Sequence, residues 1–194
     1  MTAKSNYIDK ILYIFSVSFS LFFFLSARFG VISPELNRGL YIGGTSLIVL
    51  FLSMSKISNK LINLFDIFLM LSIISSIIYF IVEYPNMSNR IGLTTKYDLL
   101  FGTLLILVSL EITRRKASKT LASIALIFLL YTLFGNYFPG MLKHQGFSYS
   151  RVISFMYTSL YGIFGSITQI FSNYIFMFII FGTFMEKSGA SEFL

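Results

Sequence analysis

The sequence predicts an all-α integral membrane protein with about six transmembrane helices, one interfacial amphipathic helix and a helical bundle that is incomplete. Of its 194 residues, 56% are hydrophobic and only 12% are charged, which is too few polar groups to cover a water-soluble globule. The mean hydropathy of +0.79 agrees with this interpretation. The apolar segments lack the outward-apolar, inward-polar alternation of membrane β-strands, so helices are the predicted elements.

The net charge of +7 does not indicate a nucleic-acid-binding protein. The 15 lysine and arginine residues are scattered in ones and twos between apolar runs, with a single cluster: Arg114, Arg115, Lys116 and Lys119. Basic residues at the ends of spanning helices contact anionic headgroups and set the topology. We therefore expect membrane lipid, and no nucleic acid, as the partner of these charges.

Uncharged stretches predict the spanning helices in order. They cover residues 11–27, 39–55, 67–82, 99–110, 120–142 and 152–185. A helix needs about 20 residues, with 17 acceptable, to cross about 30 Å of hydrocarbon. The fourth stretch is therefore short unless residues 97–113 are counted and Lys96 and Arg114 extend toward the headgroups. The last stretch is too long for one helix, and Gly162 and Gly165 divide it into residues 152–164 and 167–185.

The first stretch also has features of a cleavable signal peptide. Lys4 and Lys10 precede its apolar core, and small residues follow at its end. We interpret it as a retained helix, because 17 uncharged residues exceed a usual signal core and Arg28 follows at once.

The prolines predict which connections share one side of the membrane. Pro34, Pro85 and Pro139 fall in the alternate connections formed by residues 28–38, 83–98 and 139–151. The opposite side carries nine basic residues against six, together with the densest basic cluster, so we expect a cytoplasmic N-terminus.

Residues 152–164 predict an amphipathic helix. Two faces follow from the helical spacing: an apolar one of Val152, Phe155, Met156, Leu160, Ile163 and Phe164, and a polar one of Arg151, Ser154, Thr158 and Tyr161. Such a helix can lie in the interface with its apolar side in the acyl boundary. The alternative is an ordinary extension of the last spanning helix.

Asp66 is the one acidic residue inside an apolar stretch, and an intramembrane carboxylate is a candidate for ion or proton handling. It lies about 9 Å from the start of its helix, with Asn63 three residues earlier on the same face. Its insertion cost of about 2.5–3.5 kcal/mol is smaller than the gain of about 4.5–9 kcal/mol from the surrounding apolar residues. We favour an interfacial or helix-packing role and keep a functional role as the alternative.

The remaining polar features predict structural roles. Glu111 precedes Arg114 and Arg115 by three and four residues, which is the spacing of an intrahelical ion pair near a helix C-terminus. His144 is the only histidine and has no second ligand for a metal and no catalytic partner in the sequence pattern. Without cysteines, and without a catalytic triad or phosphate-binding glycine loop, an enzyme is not expected.

Four segments resemble a known family in their order along the chain. These are residues 98–115 (DLL through EITRR), 124–147 (IALIFLLYTLFGNYFPG, then LKHQGF), 162–165 (GIFG) and 174–189 (YIFMFIIFGTFMEKSG). Together they are similar to the fused permease of a tripartite ATP-independent periplasmic (TRAP) transporter, the variety served by TAXI-type binding proteins. Residues 1–97 match only in length and hydropathy, and Asn136 stands where the family pattern has a second proline.

The resemblance implies two parts. Residues 1–116 would form a four-helix Q-type domain, and residues 117–194 would begin an M-type domain that continues beyond this chain. The turn Glu186, Lys187, Ser188 and Gly189 would close the second M-type span, and with Asp66, Glu111, Arg114 and Arg115 it forms our set of structural or docking candidates. The family's substrate and sodium sites lie in later segments, so no transport-site residue, catalytic residue, metal ligand or cofactor is expected here.

The resemblance also implies a function. In that family an extracytoplasmic binding protein delivers an organic acid, and the M-type domain moves it by an elevator motion driven by a sodium gradient. This chain would be the scaffold portion in a bacterial or archaeal cytoplasmic (inner) membrane, not transport-competent alone, with an outer docking surface around Arg38, Arg90 and Lys143. The alternative is a free-standing small membrane protein with an assembly or regulatory role and no transport activity.

Overall fold

The computed structural model describes residues 3–30, 33–56, 60–90 and 92–189, and within these ranges the chain is helical without strands. Five long helices come first: α1 (Ala3–Phe29), α2 (Pro34–Lys56), α3 (Lys60–Asn89), α4 (Lys96–Lys116) and α5 (Lys119–Phe134). Two short 3₁₀ turns follow, Gly135–Tyr137 and Gly140–Leu142. The short helix α6 (Tyr149–Ile153) continues as a π-helical turn, Ser154–Thr158, and α7 (Ser166–Lys187) is the last helix.

In the described part of the chain, five helices are long and apolar enough to cross a membrane, and they support an all-α membrane protein. They cover Asp9–Phe29, Pro34–Ser55, Leu61–Asn89, Lys119–Tyr137 and Ser166–Lys187. Helix α4 has 21 residues and is about 31 Å long, but its charged ends keep it outside this group. The sixth span therefore stays a prediction. Residues 190–194, the end of the second predicted part, lie outside the described residues.

Successive long helices run antiparallel. The Ser55 hydroxyl near the end of α2 donates to the Asp9 carboxylate near the start of α1, and Arg115 near the end of α4 pairs with Asp66 near the start of α3. We call the end of the bundle that holds the first residues of α1, α3 and α5 the near end, and the opposite end the far end.

The core forms where α2, α3 and α4 meet the α6 segment, which we define as residues 149–165. Its most buried apolar side chains are Leu50, Ile73, Phe80, Leu105, Tyr157 and Phe164. Glycine allows α4 to approach the α6 segment closely, because a Cβ atom on Gly102 would lie 2.6 Å from the Cγ2 atom of Ile153. Many large apolar side chains on the outside stay exposed, as expected for a surface that faces lipid.

The placement of Pro85 in a connection was wrong. This proline lies inside α3, which continues for another turn to Asn89. A proline costs the helix one hydrogen bond, but residues beyond it pack into the core, and Met87 is only 2% exposed. Pro34 is the first residue of α2, where its missing N–H is not needed. Pro139 lies between the two 3₁₀ turns, as predicted for a connection.

The predicted helix over residues 152–164 was also wrong in its bounds and in its buried face. Helical structure runs from Tyr149 to Thr158, and Ser159 has an extended backbone that ends it. The chain then folds back, with the Ile163 N–H donating to the Met156 carbonyl at 2.9 Å, so the segment does not simply extend α7. Ile153 and Tyr157 are buried against the bundle while Phe155 is 56% exposed. Burial of these two side chains, not lipid contact alone, sets the orientation of the segment.

Candidate functional site

The near-end ion cluster consists of Asp66, Glu111, Arg114 and Arg115. Glu111 accepts hydrogen bonds from the Arg114 Nε atom at 2.7 Å and from the Arg115 Nε atom at 2.6 Å, as its spacing predicts. The second edge of the Arg115 guanidinium pairs with the Asp66 carboxylate, and its central carbon lies 5.4 Å from the centre of the Phe65 ring. The cluster therefore fastens α3 to α4 at the near end.

Asp66 is fully buried and pairs with Arg115. Its Oδ2 atom and the Oδ1 atom of Asn63 have no hydrogen-bond donor within the described part of the chain. The two acids and two arginines balance in charge, so the cluster joins α3 to α4 without adding a net charge to the bundle. This geometry agrees with a packing role for Asp66.

A second ion cluster, at the far end, joins the same two helices and was not found from the sequence. The Arg90 guanidinium contacts Glu83 at 3.1 Å and the fully buried Asp98 at 3.3 Å. Asp98 also accepts hydrogen bonds from the Tyr79 hydroxyl at 2.8 Å and from the Thr95 N–H at 2.7 Å. The Thr95 side chain accepts from the Asp98 N–H in return, which is a capping box. The three-residue spacing of Thr95 and Asp98 could have predicted this cap, and with it the start of α4, from the sequence.

A third polar group, the α2–α7 network, links the start of α2 to the start of α7. Its members are Asn37, Arg38, Gln169, Ser172, Asn173 and the main-chain carbonyl of Phe164. Arg38 donates to the Phe164 carbonyl at 2.7 Å and to the Gln169 Oε1 atom at 2.5 Å. Asn37 donates to the Ser172 hydroxyl at 3.1 Å and to the Asn173 Oδ1 atom at 2.6 Å.

Arg38 carries a buried positive charge that has only neutral acceptors around it. It is 8% exposed, and no carboxylate of the described ranges lies within ion-pair distance. We expected Arg38 to contribute to an outer docking surface, but it is buried inside the network. Of the other two residues named for that role, Arg90 is half-buried and Lys143 is exposed. The sequence did contain an indication of this network that was not used. Gln169, Ser172 and Asn173 are spaced three and four residues apart, which places a polar face on an otherwise apolar helix.

The predicted turn at the end of α7 is present. The Ser188 N–H donates to the Phe184 carbonyl at 2.9 Å, the Gly189 N–H donates to the Glu186 carbonyl at 3.3 Å, and Gly189 has a φ of 74°. Glycine suits this left-handed position at a helix C-terminus. Glu186 and Lys187 are exposed, and in the described ranges no hydrogen bond or ion pair connects this turn with the near-end ion cluster.

His144 organises the connection between α5 and α6. Its Nδ1 atom accepts from the Gly146 N–H at 3.0 Å, and its Nε2 atom lies 3.1 Å from the Tyr131 carbonyl. The imidazole also packs edge-on to the Tyr131 ring and covers Gly135, where a Cβ atom would lie 1.9 Å from Nε2. A neutral ring with its proton on Nε2 satisfies both contacts. Across the described ranges, no three His, Cys, Asp or Glu side chains are grouped to hold a metal.

The three polar groups share two features. Each connects two helices, and each contains at least one buried charged side chain. Comparison of the chain with protein-family models, curated proteins and solved structures finds no match in any of the three. The helical membrane fold and the polar groups above are therefore the observations from which a function is inferred.

Proposed function

We propose that this chain is the N-terminal scaffold portion of a TRAP-type secondary transporter permease, which imports an organic acid with a sodium gradient and an extracytoplasmic TAXI-type binding protein. Residues 1–116 form the Q-type part, and residues 117–194 begin the M-type part. The chain lies in a bacterial or archaeal cytoplasmic membrane with its N-terminus inside and six spans, α4 among them. It needs the remainder of the M-type domain for transport.

The observation that carries the proposal is the shared core of the two parts. Tyr157 and Phe164 follow the proposed boundary at residue 116, yet both are fully buried with Phe80 of α3. The Phe80 and Phe164 rings stack with their centroids 3.7 Å apart. Because packed aromatic cores resist relative motion, the start of the second part is held against the first as one body. An elevator mechanism requires such a stationary body beside its moving domain.

The polar groups support the same proposal. The two ion clusters fasten α3 to α4 at both ends, and the α2–α7 network fastens α2 to the last helix. Buried polar contacts of this kind specify one arrangement of helices inside a membrane, where an unpaired group is costly. Three groups of buried polar contacts thus hold these helices together, which suits a stationary scaffold better than a moving element.

Reconstitution tests the proposal. The chain is co-expressed with the permease segment encoded after it, purified as a complex and placed in liposomes with the binding protein and a radiolabelled organic acid. We expect sodium-driven accumulation from the complex and none from this chain alone. Accumulation by the chain alone would disprove the scaffold role, since its transport site would then lie within 194 residues. Failure to associate with any permease segment would instead favour a free-standing assembly or regulatory protein.

A further inference from the structure

A groove of about 390 Å³ lies between the last turns of α5 and the α6 segment. Six residues line it: Thr132, Phe147, Arg151, Val152, Phe155 and Met156. Its volume is in the range of small-ligand sites, and its walls are apolar except for one hydroxyl and one cation. Since Phe155 is 56% exposed, part of the groove is open to the surroundings of the bundle.

Arg151 is the charged group of this groove. Its guanidinium carbon lies 5.3 Å from the centre of the Phe147 ring, which is a cation–π contact. No carboxylate of the described ranges pairs with it, and none of its side-chain nitrogens takes part in a hydrogen bond there. Stacking on one face of a guanidinium leaves the N–H groups at its edge free to donate. A phosphate accepts two such bonds in parallel, which a lysine cannot reproduce.

We propose that this groove binds an anionic phospholipid, with an acyl chain against Val152, Phe155 and Met156 and the headgroup phosphate on Arg151. An unpaired cation beside an apolar wall matches the two halves of such a lipid. A free phosphate would use only the arginine, and an uncharged apolar molecule would use only the wall. The proposal rests on the membrane-embedded fold and on this groove, and it holds whether or not the chain belongs to a transporter.

A tryptophan reporter tests the proposal, because the chain has no tryptophan of its own. The variant F155W places a fluorophore in the groove, and F178W places one on α7, at a phenylalanine that is 73% exposed and remote in sequence. Each variant is reconstituted in phosphatidylcholine vesicles with a minor fraction of brominated phosphatidylglycerol, which quenches the tryptophans it contacts. The reverse mixture, with brominated phosphatidylcholine, is the reference.

We expect phosphatidylglycerol to be enriched about 5-fold around the fluorophore of F155W over its bulk fraction, which corresponds to about 1 kcal/mol for one basic residue near a membrane surface. Around the fluorophore of F178W the local and bulk fractions should agree. In F155W/R151Q the enrichment should disappear, in F155W/R151K it should fall, and in F155W/T132F it should fall because the larger side chain narrows the groove.

Three results would overturn the proposal. The first is equal enrichment of phosphatidylglycerol in F155W and F155W/R151Q, and the second is equal enrichment in F155W and F178W. The third is displacement of the brominated lipid by millimolar inorganic phosphate, which would indicate a site for the free anion. Circular dichroism and the elution volume of each variant in detergent show whether R151Q keeps its fold. If R151Q unfolds, the comparison of F155W with F155W/R151K and with F178W decides the question.

Discussion

The Tyr157 hydroxyl donates a hydrogen bond of 2.6 Å to the main-chain carbonyl of Ser76, in the middle of α3. Tyr157 is fully buried, and the Ser76 hydroxyl donates in turn to the Phe101 carbonyl of α4 at 3.0 Å. Three segments distant in sequence therefore meet at one point. The α6 segment is consequently part of the bundle core, although its sequence predicts an amphipathic helix in the membrane interface.

The first prediction concerns this hydrogen bond. Tyr157→Phe should lower the free energy of unfolding by about 0.5–1.5 kcal/mol, the net value of one buried hydrogen bond. Tyr157→Ala should cost about 3–5 kcal/mol, since it also leaves a cavity. Unfolding in bicelles measures both. The matched control is Tyr161→Phe, at a side chain that is 81% exposed, and an equal loss there would argue against the assigned contact.

The second prediction concerns the buried acid of the near-end ion cluster. Among the side chains that the structure describes, Arg115 is the cation paired with Asp66, so we expect Arg115→Gln to destabilise the fold by about 3 kcal/mol. Asp66→Asn in the same chain should recover much of that loss, because the amide needs no counter-charge. A double-mutant cycle measures the coupling.

Arg114 is the control for that cycle. Its side chain is 51% exposed and, within the described ranges, its ion-pair partner is Glu111, so Arg114→Gln should change the free energy of unfolding by at most about 1 kcal/mol. If Arg114→Gln and Arg115→Gln were equally destabilising, burial of the Asp66 pair would not be the cause.

The third prediction uses the close approach of α4 to the α6 segment. A methyl group on Gly102 would overlap Ile153 and lie 3.0 Å from the Cβ atom of Tyr157, so Gly102→Ala should cost about 1–3 kcal/mol. Gly182→Ala is the matched control, because nothing lies within 4 Å of its added methyl group. There alanine should stabilise the helix by up to about 1 kcal/mol. The same sign of change at both glycines would contradict this packing.

The fourth prediction concerns the α2–α7 network. The chain has no cysteine, so the pair Asn37→Cys and Ser172→Cys can be introduced without background thiols. The two native side chains are hydrogen-bonded at 3.1 Å, and we expect the double variant to form a disulfide on mild oxidation. Electrophoretic mobility with and without reductant measures it. The pair Asn37→Cys and Thr183→Cys, about three turns further along α7, should stay reduced.

The fifth prediction concerns topology. Single cysteines at Leu93 and Met141, two exposed far-end positions, should react with a membrane-impermeant maleimide from outside intact cells. A cysteine at Ala117, at the exposed near-end turn, should react only after permeabilisation. This pattern follows from the excess of basic residues at the near end. Labelling of cysteines at Leu93 and Met141 on opposite sides would contradict the antiparallel order of α3, α4 and α5.

Long apolar runs were sufficient to predict that the chain is a helical membrane protein, because lipid leaves the backbone few alternatives. Local spacing was also sufficient for the pairing of Glu111 with Arg114 and Arg115 and for the glycine turn at Gly189, since both depend on residues within one helical turn. Pro85 shows the limit of such reasoning, because packing of Met87 carries α3 through a residue that usually ends a helix.

Only the tertiary structure decided which distant polar groups meet. Asp66 pairs with Arg115, 49 residues away, and Arg38 donates to the Phe164 carbonyl, 126 residues away. Helical periodicity relates residues within a few turns of one helix, so it could not predict either contact. The buried face of the α6 segment was decided in the same way, by the space beside Gly102 that receives Ile153 and Tyr157. The sequence by itself determined that the chain is a helical membrane protein, because composition sets the free energy of transfer from water to lipid. The partners of each helix depended on shape and on buried charges, which exist only when the helices are assembled.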